Sequence, residues 1–223
     1  VVKVSDEIII DIKNPIEGSL GATFPYVIRK IRRLVPRGME VSVAIGDIPK
    51  LAGTASLAAL GASVCGVDYV KVGLMGPKTE REATYLMKNV VRSVKEFDKS
   101  IKVVAAGYAD YKRSNTLSPM SILKVAYFSK SNVVMLDTAI KDGKKLTDFL
   151  EIPFLKIFVE KAHKKGLKVA LAGSLGKEDV STIHTIGADI LGVRGAVCEK
   201  RDRKARLKRK LVEEIFEEFK KLG

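Results

Sequence analysis

The chain has 223 residues, 46% of them apolar and 30% charged, with a formal net charge of +14. That length is enough to bury a substantial core, no apolar run approaches the roughly 18 residues of a membrane span, and the start does not read as a secretory signal, so a soluble, cytoplasmic protein is expected. Two cysteines, Cys65 and Cys198, and two histidines, His163 and His184, lie far apart in the chain, which argues against a disulfide framework and against a metal site.

Short apolar runs recur at 1–5, 8–12, 41–45, 69–72, 101–105, 133–136, 168–172 and 190–193. Helical spacing fills most of the gaps, at 25–34, 51–65, 79–97, 118–128, 152–165, 177–186 and 207–222. Strands that alternate with helices form parallel βα units, and near-continuous apolar strands are those covered by helices on the outside. Eight of them predict an α/β protein, a single (β/α)8 TIM barrel with parallel strands occupying 1–223 as one domain, and a basic C-terminal helix. One interval conflicts with this pattern. The second run begins almost directly after Ser5, whereas a parallel crossover needs a dozen or more residues. A first helix is therefore expected to be missing from the sequence between Ser5 and Asp6 or Glu7.

In such a barrel the chemistry sits at the carboxyl ends of the strands. The polar residues closing the runs are Ser5, Asp11 with Lys13, Asp47, Lys71, Asp110, Asp137 with Lys141, Ser174 and Arg194. Three of these are lysines in or beside core strands. Burying an ammonium costs several kcal/mol unless it is paired or discharged, and a desolvated amine is a nucleophile toward carbonyls near neutral pH. Lys13 and Asp11 are two apart on a strand and share a face. Asp137 and Lys141 offer a second carboxylate–amine pair, and Lys71, inside an apolar run, is the candidate for a discharged general base. Salt bridges that merely plug the barrel are the plainer reading of any one pair. Glycine-rich turns at Gly173-Ser174 and Gly192-Val193-Arg194-Gly195-Ala196 follow the seventh and eighth runs, where backbone amides of these barrels commonly hold phosphate. The polar loop 14–21 is a candidate second phosphate site or lid.

Several segments together resemble the (5-formylfuran-3-yl)methyl phosphate synthases of methanofuran biosynthesis. They are Asp11-Ile12-Lys13-Asn14-Pro15, Gly18-Ser19-Leu20-Gly21-Ala22, Tyr69-Val70-Lys71-Val72-Gly73-Leu74, Val103-Val104-Ala105-Ala106-Gly107-Tyr108-Ala109-Asp110, Met135-Leu136-Asp137-Thr138-Ala139-Ile140-Lys141-Asp142-Gly143, Ala170-Leu171-Ala172-Gly173-Ser174-Leu175 and Gly192-Val193-Arg194-Gly195-Ala196. The resemblance implies a barrel that joins two molecules of glyceraldehyde 3-phosphate into a furan aldehyde phosphate with loss of phosphate and water. It implies Lys13 as the Schiff-base lysine and Lys71 as proton acceptor, with Asp11, Asp137 and Lys141 in the same site. The partners are then small triose phosphates, and no metal or organic cofactor is implied. The departures are the missing first helix and the basic stretch after Cys198.

Three other readings compete. One is a class I aldolase acting on a different sugar phosphate. Another is a decarboxylase of the orotidine type, whose Asp-x-Lys-x-x-Asp signature ends here in Ile16 instead of a carboxylate. The third is a nucleic-acid-binding protein, since eight of the eleven residues at 200–210 are basic. Against the third, the next stretch is acidic and amphipathic, and no aromatic residues are interleaved for base stacking. The absence of Gln and Trp beside 30% charged residues also fits the Lys- and Glu-rich composition of thermophile proteins. Barrels often associate, so a homo-oligomer is compatible with the chain.

Overall fold

The computed structural model describes residues 2–3 and 8–222. Its strands are β1 (Val2–Lys3), β2 (Ile9–Ile12), β3 (Glu40–Asp47), β4 (Tyr69–Gly73), β5 (Lys102–Tyr108), β6 (Val133–Asp137), β7 (Lys168–Leu171) and β8 (Ile190–Leu191). Helices α1 (Pro25–Leu34), α2 (Ala52–Ser63), α3 (Glu80–Phe97), α4 (Tyr111–Ser114), α5 (Pro119–Phe128), α6 (Ile152–His163), α7 (Val180–Ile186) and α8 (Arg209–Lys220) complete the chain. The local signals explain the helix ends. Thr79 and Glu82 close a capping box on α3, Ser118 caps α5 ahead of Pro119, and α7 stops at Gly187, whose φ of +86° suits glycine.

The strands from β2 to β8 pair in parallel, each with its sequence neighbour, and curl into a sheet of the TIM-barrel class wrapped by helices. The first expected strand departs from this. β1 runs antiparallel against β8, Val2 opposite Leu191 and Lys3 opposite Ile190, and among the described residues no ladder joins it to β2. The reason is chain length, because the few residues between Lys3 and Ile9 cannot make a parallel crossover. The expected omission of a helix between Ser5 and Asp6 or Glu7 concerns residues that lie outside the described ones.

Strand alternation divides the apolar residues into two groups. Val70 and Val72, Val103 and Ala105, Val134 and Leu136 point outward into the layer packed under the helices. Ile9, Ala44, Tyr69, Val104, Ala106, Val133, Met135, Ala170 and Ile190 fill the barrel interior. Burial of each large aliphatic side chain contributes about 1.5–3 kcal/mol. Lys71 occupies an interior position between Tyr69 and Gly73, and it is only 2% exposed. An amine at that place needs a partner, and the partner is supplied at the carboxyl end of β2.

Candidate active site

Lys71 Nζ donates to both oxygens of Asp11 at 2.8 Å. Lys71, the candidate general base, is thus paired with a carboxylate. The desolvated amine stands at Lys13, one residue beyond β2 and on the Asp11 side of the strand. Lys13 is half-buried, and among the described residues its amine makes no hydrogen bond or ion pair. Burial is the main reason its pKa falls from 10.5 to about 8; the charges of Asp137 and Asp11 oppose the fall, while Lys71 and Lys141 add to it. Burial acts to raise the Asp11 carboxyl, but attraction to Lys71 and then Lys13 outweighs it and holds the group well below the usual carboxylate range.

Asp137 ends β6 and is 2% exposed. Its Oδ1 accepts from Lys141 Nζ at 2.6 Å and from the Thr138 N–H at 2.7 Å, and its Oδ2 accepts from Ser19 Oγ at 3.1 Å. Burial works against ionisation here too, but Lys141 and Lys13 prevail and bring the pKa down to about 2. The loop that carries Lys141 is fastened from the neighbouring strand. Both oxygens of the buried Asp110 accept backbone N–H bonds, from Ala139 at 2.7 Å and Ile140 at 3.0 Å.

Asp11, Lys13, Asp137, Lys141, Gly173, Ser174, Arg194, Gly195 and Ala196 line one cavity of about 360 Å³ at the carboxyl ends of the strands. Lys71 lies beneath it, bound to Asp11. The Gly173 turn is shaped by close approach, because at φ +118° a Cβ would come within 2.9 Å of Thr138 Cγ2. Ser174 follows at φ +52°, and a Cβ on Gly195 would sit 3.2 Å from the Arg201 carbonyl. Among the described residues the backbone N–H groups of Gly173, Ser174, Gly195 and Ala196 donate to no other group, which leaves them free for an anion.

Ser19, Arg203, Tyr108 and Asp47 also stand in or beside the site, although nothing in the sequence pattern singles out any of these four side chains for a role. Ser19 and its neighbour Leu20 are buried, Leu20 within the barrel interior, so the end of the loop 14–21 that leads toward α1 is anchored to Asp137, while Ile16 and Glu17 are exposed. Arg203, in the basic stretch, lines the cavity and donates from Nη2 to the Gly18 carbonyl at 3.0 Å. Tyr108 is fully buried and donates to Asp47 Oδ1. Burial raises the Asp47 carboxyl above its ordinary value, with Asp137 adding to the rise and the Tyr108 bond opposing it. Strict alternation after Ala44 would turn residue 46 inward. A bulge between Ala44 and Asp47, with Gly46 at φ +106°, advances the register by one and brings Asp47 opposite Gly73. Ile16, where the decarboxylase signature has its second carboxylate, is 78% exposed, so no charge network continues there.

A family model described as 4-HFC-P synthase matches residues 2–216. A (5-formylfuran-3-yl)methyl phosphate synthase of Methanopyrus kandleri is 52% identical over 212 residues, covering 93% of this chain and 90% of that protein. One of Methanocaldococcus jannaschii is 52% identical over 210 residues, covering 94% and 89%. Among solved structures, KGPDC from Streptococcus mutans superposes with a TM-score of 0.64 at 13% identity, over 97% of this chain and 86% of that one. A 3-hexulose-6-phosphate synthase gives 0.65 at 17% identity, over 94% and 86%. At such identities these two structures speak for the barrel alone.

Proposed function

Since the chain belongs to the (5-formylfuran-3-yl)methyl phosphate synthase family, we propose that it condenses two molecules of glyceraldehyde 3-phosphate into 4-(hydroxymethyl)-2-furancarboxaldehyde phosphate through a Schiff base on Lys13, with loss of phosphate and water, in methanofuran biosynthesis. The observation that carries this reading is the Lys13 amine, desolvated, unpaired among the described residues, and set between the carboxylates of Asp11 and Asp137. An amine with a pKa of about 8 has a reactive neutral fraction near pH 7, and adjacent carboxylates stabilise the iminium that forms.

In this scheme Lys13 attacks one aldehyde carbon and water leaves as the imine forms. Lys71, held by Asp11, moves the carbon-bound proton. Asp137 and Lys141 handle protons in elimination and ring closure. The amide groups at Gly173-Ser174 and Gly195-Ala196 hold one phosphate, Arg194 binds phosphate in the same cavity, and the scheme draws on no metal or organic cofactor. Residues 1–223 act as one barrel domain. Among the described residues no helix is long and apolar enough to cross a membrane, and we place the reaction in the cytoplasm.

The test is incubation of the protein with glyceraldehyde 3-phosphate while released phosphate and the ultraviolet absorbance of a conjugated furan aldehyde are followed together. Both signals should rise in step. Phosphate or an aldol product without the furan would leave a lysine aldolase, and no turnover would overturn the assignment.

A further inference from the structure

A reaction between two phosphorylated trioses needs two anion sites, and the amide groups after β7 and β8 supply one. The cations around the same cavity are not equivalent. Lys145 is neutralised in place by Glu178 at 3.0 Å and Asp179 at 2.8 Å, and Arg201 lies 3.7 Å from Glu178. Arg194 and Arg203 are both half-buried and, among the described residues, have no carboxylate salt bridge. Arg194 Nε instead donates to the Arg203 carbonyl at 3.0 Å, which seats the two residues side by side.

Arg203 projects from a closed loop. Cys198 and Leu207 form a β-bridge, the Glu199 N–H bonds the Arg206 carbonyl at 3.0 Å, and the Lys208 N–H bonds the Val197 carbonyl at 2.9 Å. From this base the loop reaches the mouth of the barrel, where Arg203 Nη2 meets Gly18 of the β2–α1 connection. A guanidinium has five N–H donors, and the Gly18 carbonyl takes one of them. Arg203 feels the attraction of Asp137 and the repulsion of Arg194, yet Asp137 is already committed to Lys141, Ser19 and Thr138. Two neighbouring, partly desolvated guanidiniums with no counter-ion are stabilised by an arriving dianion, and their planar forks match phosphate oxygens in a bidentate manner.

We propose that Arg203 and Arg194 form a second phosphate site in the cavity, separate from the backbone amides at Gly173-Ser174 and Gly195-Ala196, and that the basic loop 198–207 exists to carry Arg203 there. The ligand is a phosphomonoester dianion or inorganic phosphate. In the reaction it is the phosphate of one of the two trioses, so this inference rests on the synthase reading for its substrate and on the geometry alone for the site.

The site is tested first without turnover, by calorimetric titration of the intact protein with inorganic phosphate. The wild type should take up two phosphates per chain. Arg203→Met, which keeps the aliphatic stem, should remove one of them or raise its dissociation constant about 10- to 100-fold, the loss expected when charge-assisted contacts disappear. Arg203→Lys, which keeps charge but not the fork, should fall between, and matching melting curves establish that both variants fold. In turnover, Arg203→Met should raise KM for glyceraldehyde 3-phosphate by a similar factor, while borohydride still traps substrate on Lys13. A variant that binds phosphate with the wild-type stoichiometry and affinity overturns the proposal. A phosphate lost from Arg203→Met in a protein that makes no furan aldehyde would leave the site standing and bring down the synthase reading instead.

Discussion

Asp11 and Lys71 meet across the barrel interior from β2 and β4, over the intervening β3, where Ala44 stands opposite Lys71 and is small enough to leave the space. Two 2.8 Å contacts at one buried ammonium mean that neither partner survives the loss of the other cheaply. Asp11→Ala or Lys71→Ala alone should cost about 3–5 kcal/mol, because each leaves an unpaired buried charge. The pair Asp11→Leu with Lys71→Met should recover most of that stability and none of the activity. Urea unfolding of the three variants measures this. A double variant no more stable than the singles would show that the pair is not the source of the penalty.

The reactivity of Lys13 has a defined pH dependence. Only the neutral amine attacks a carbonyl, so below its pKa of about 8 the rate of borohydride trapping should climb about tenfold per pH unit and level off above it. The neighbours shift the midpoint in opposite directions. Asp137→Asn removes a charge that holds the ammonium, and the midpoint should move down. Lys141→Ala removes a repelling charge, and it should move up. Trapping that shows no titration between pH 6 and about 9 would mean that the amine is not the nucleophile.

Much of this was legible in the sequence because a parallel barrel has a simple pattern. Continuous apolar strands at regular intervals mark the sheet, and a lysine inside such a run, as at Lys71, stands out because an unpaired ammonium is so unfavourable there. Asp11, Lys13, Asp137 and Lys141 were visible for the same reason, as polar residues where strands end. What remained hidden depends on three-dimensional detail. Asp47 was visible at its strand end but had no role, because a one-residue bulge reverses the inside–outside alternation by which it would be judged. Tyr108 passes for a core aromatic until its hydroxyl is seen to meet Asp47. Arg203 is one of many cations in a basic run, and only the loop closed at Cys198 and Leu207 shows that this one faces the cavity. The spacing of the first two runs already marks the first strand as anomalous, but its antiparallel pairing with β8 is seen only in the fold.

The turn after β7 separates backbone from side-chain recognition. Gly173 cannot accept a Cβ, whereas Ser174 is held at a φ of +52° that glycine adopts freely. Ser174→Gly should therefore stabilise the protein by up to about 1 kcal/mol. If the amide N–H groups alone hold phosphate, KM should change less than twofold. A KM increase of about tenfold or more would assign the contact to the hydroxyl. Gly173→Ala, by contrast, drives a methyl into Thr138 beside Asp137 and should lower both melting temperature and activity.

The Tyr108–Asp47 bond makes a prediction about protons whose sign can be worked out in full. Burial raises the Asp47 carboxyl above its ordinary 3.8, and donation from Tyr108 restrains that rise because it favours the ionised form. Tyr108→Phe removes the restraint, so the Asp47 midpoint, followed by carbon-13 chemical shift, should move further up. Stability follows by linkage. With its folded pKa above the unfolded one, Asp47 binds more protons in the folded state between the two values, so stability falls as pH rises through that window. The fall should be larger in Tyr108→Phe and absent in Asp47→Asn. Tyr108 itself stays protonated throughout, since burial first and then the Asp47 charge push its hydroxyl well above 10. A downward shift of the Asp47 midpoint in Tyr108→Phe would mean that the hydroxyl serves the neutral acid instead, with Asp47 as the donor.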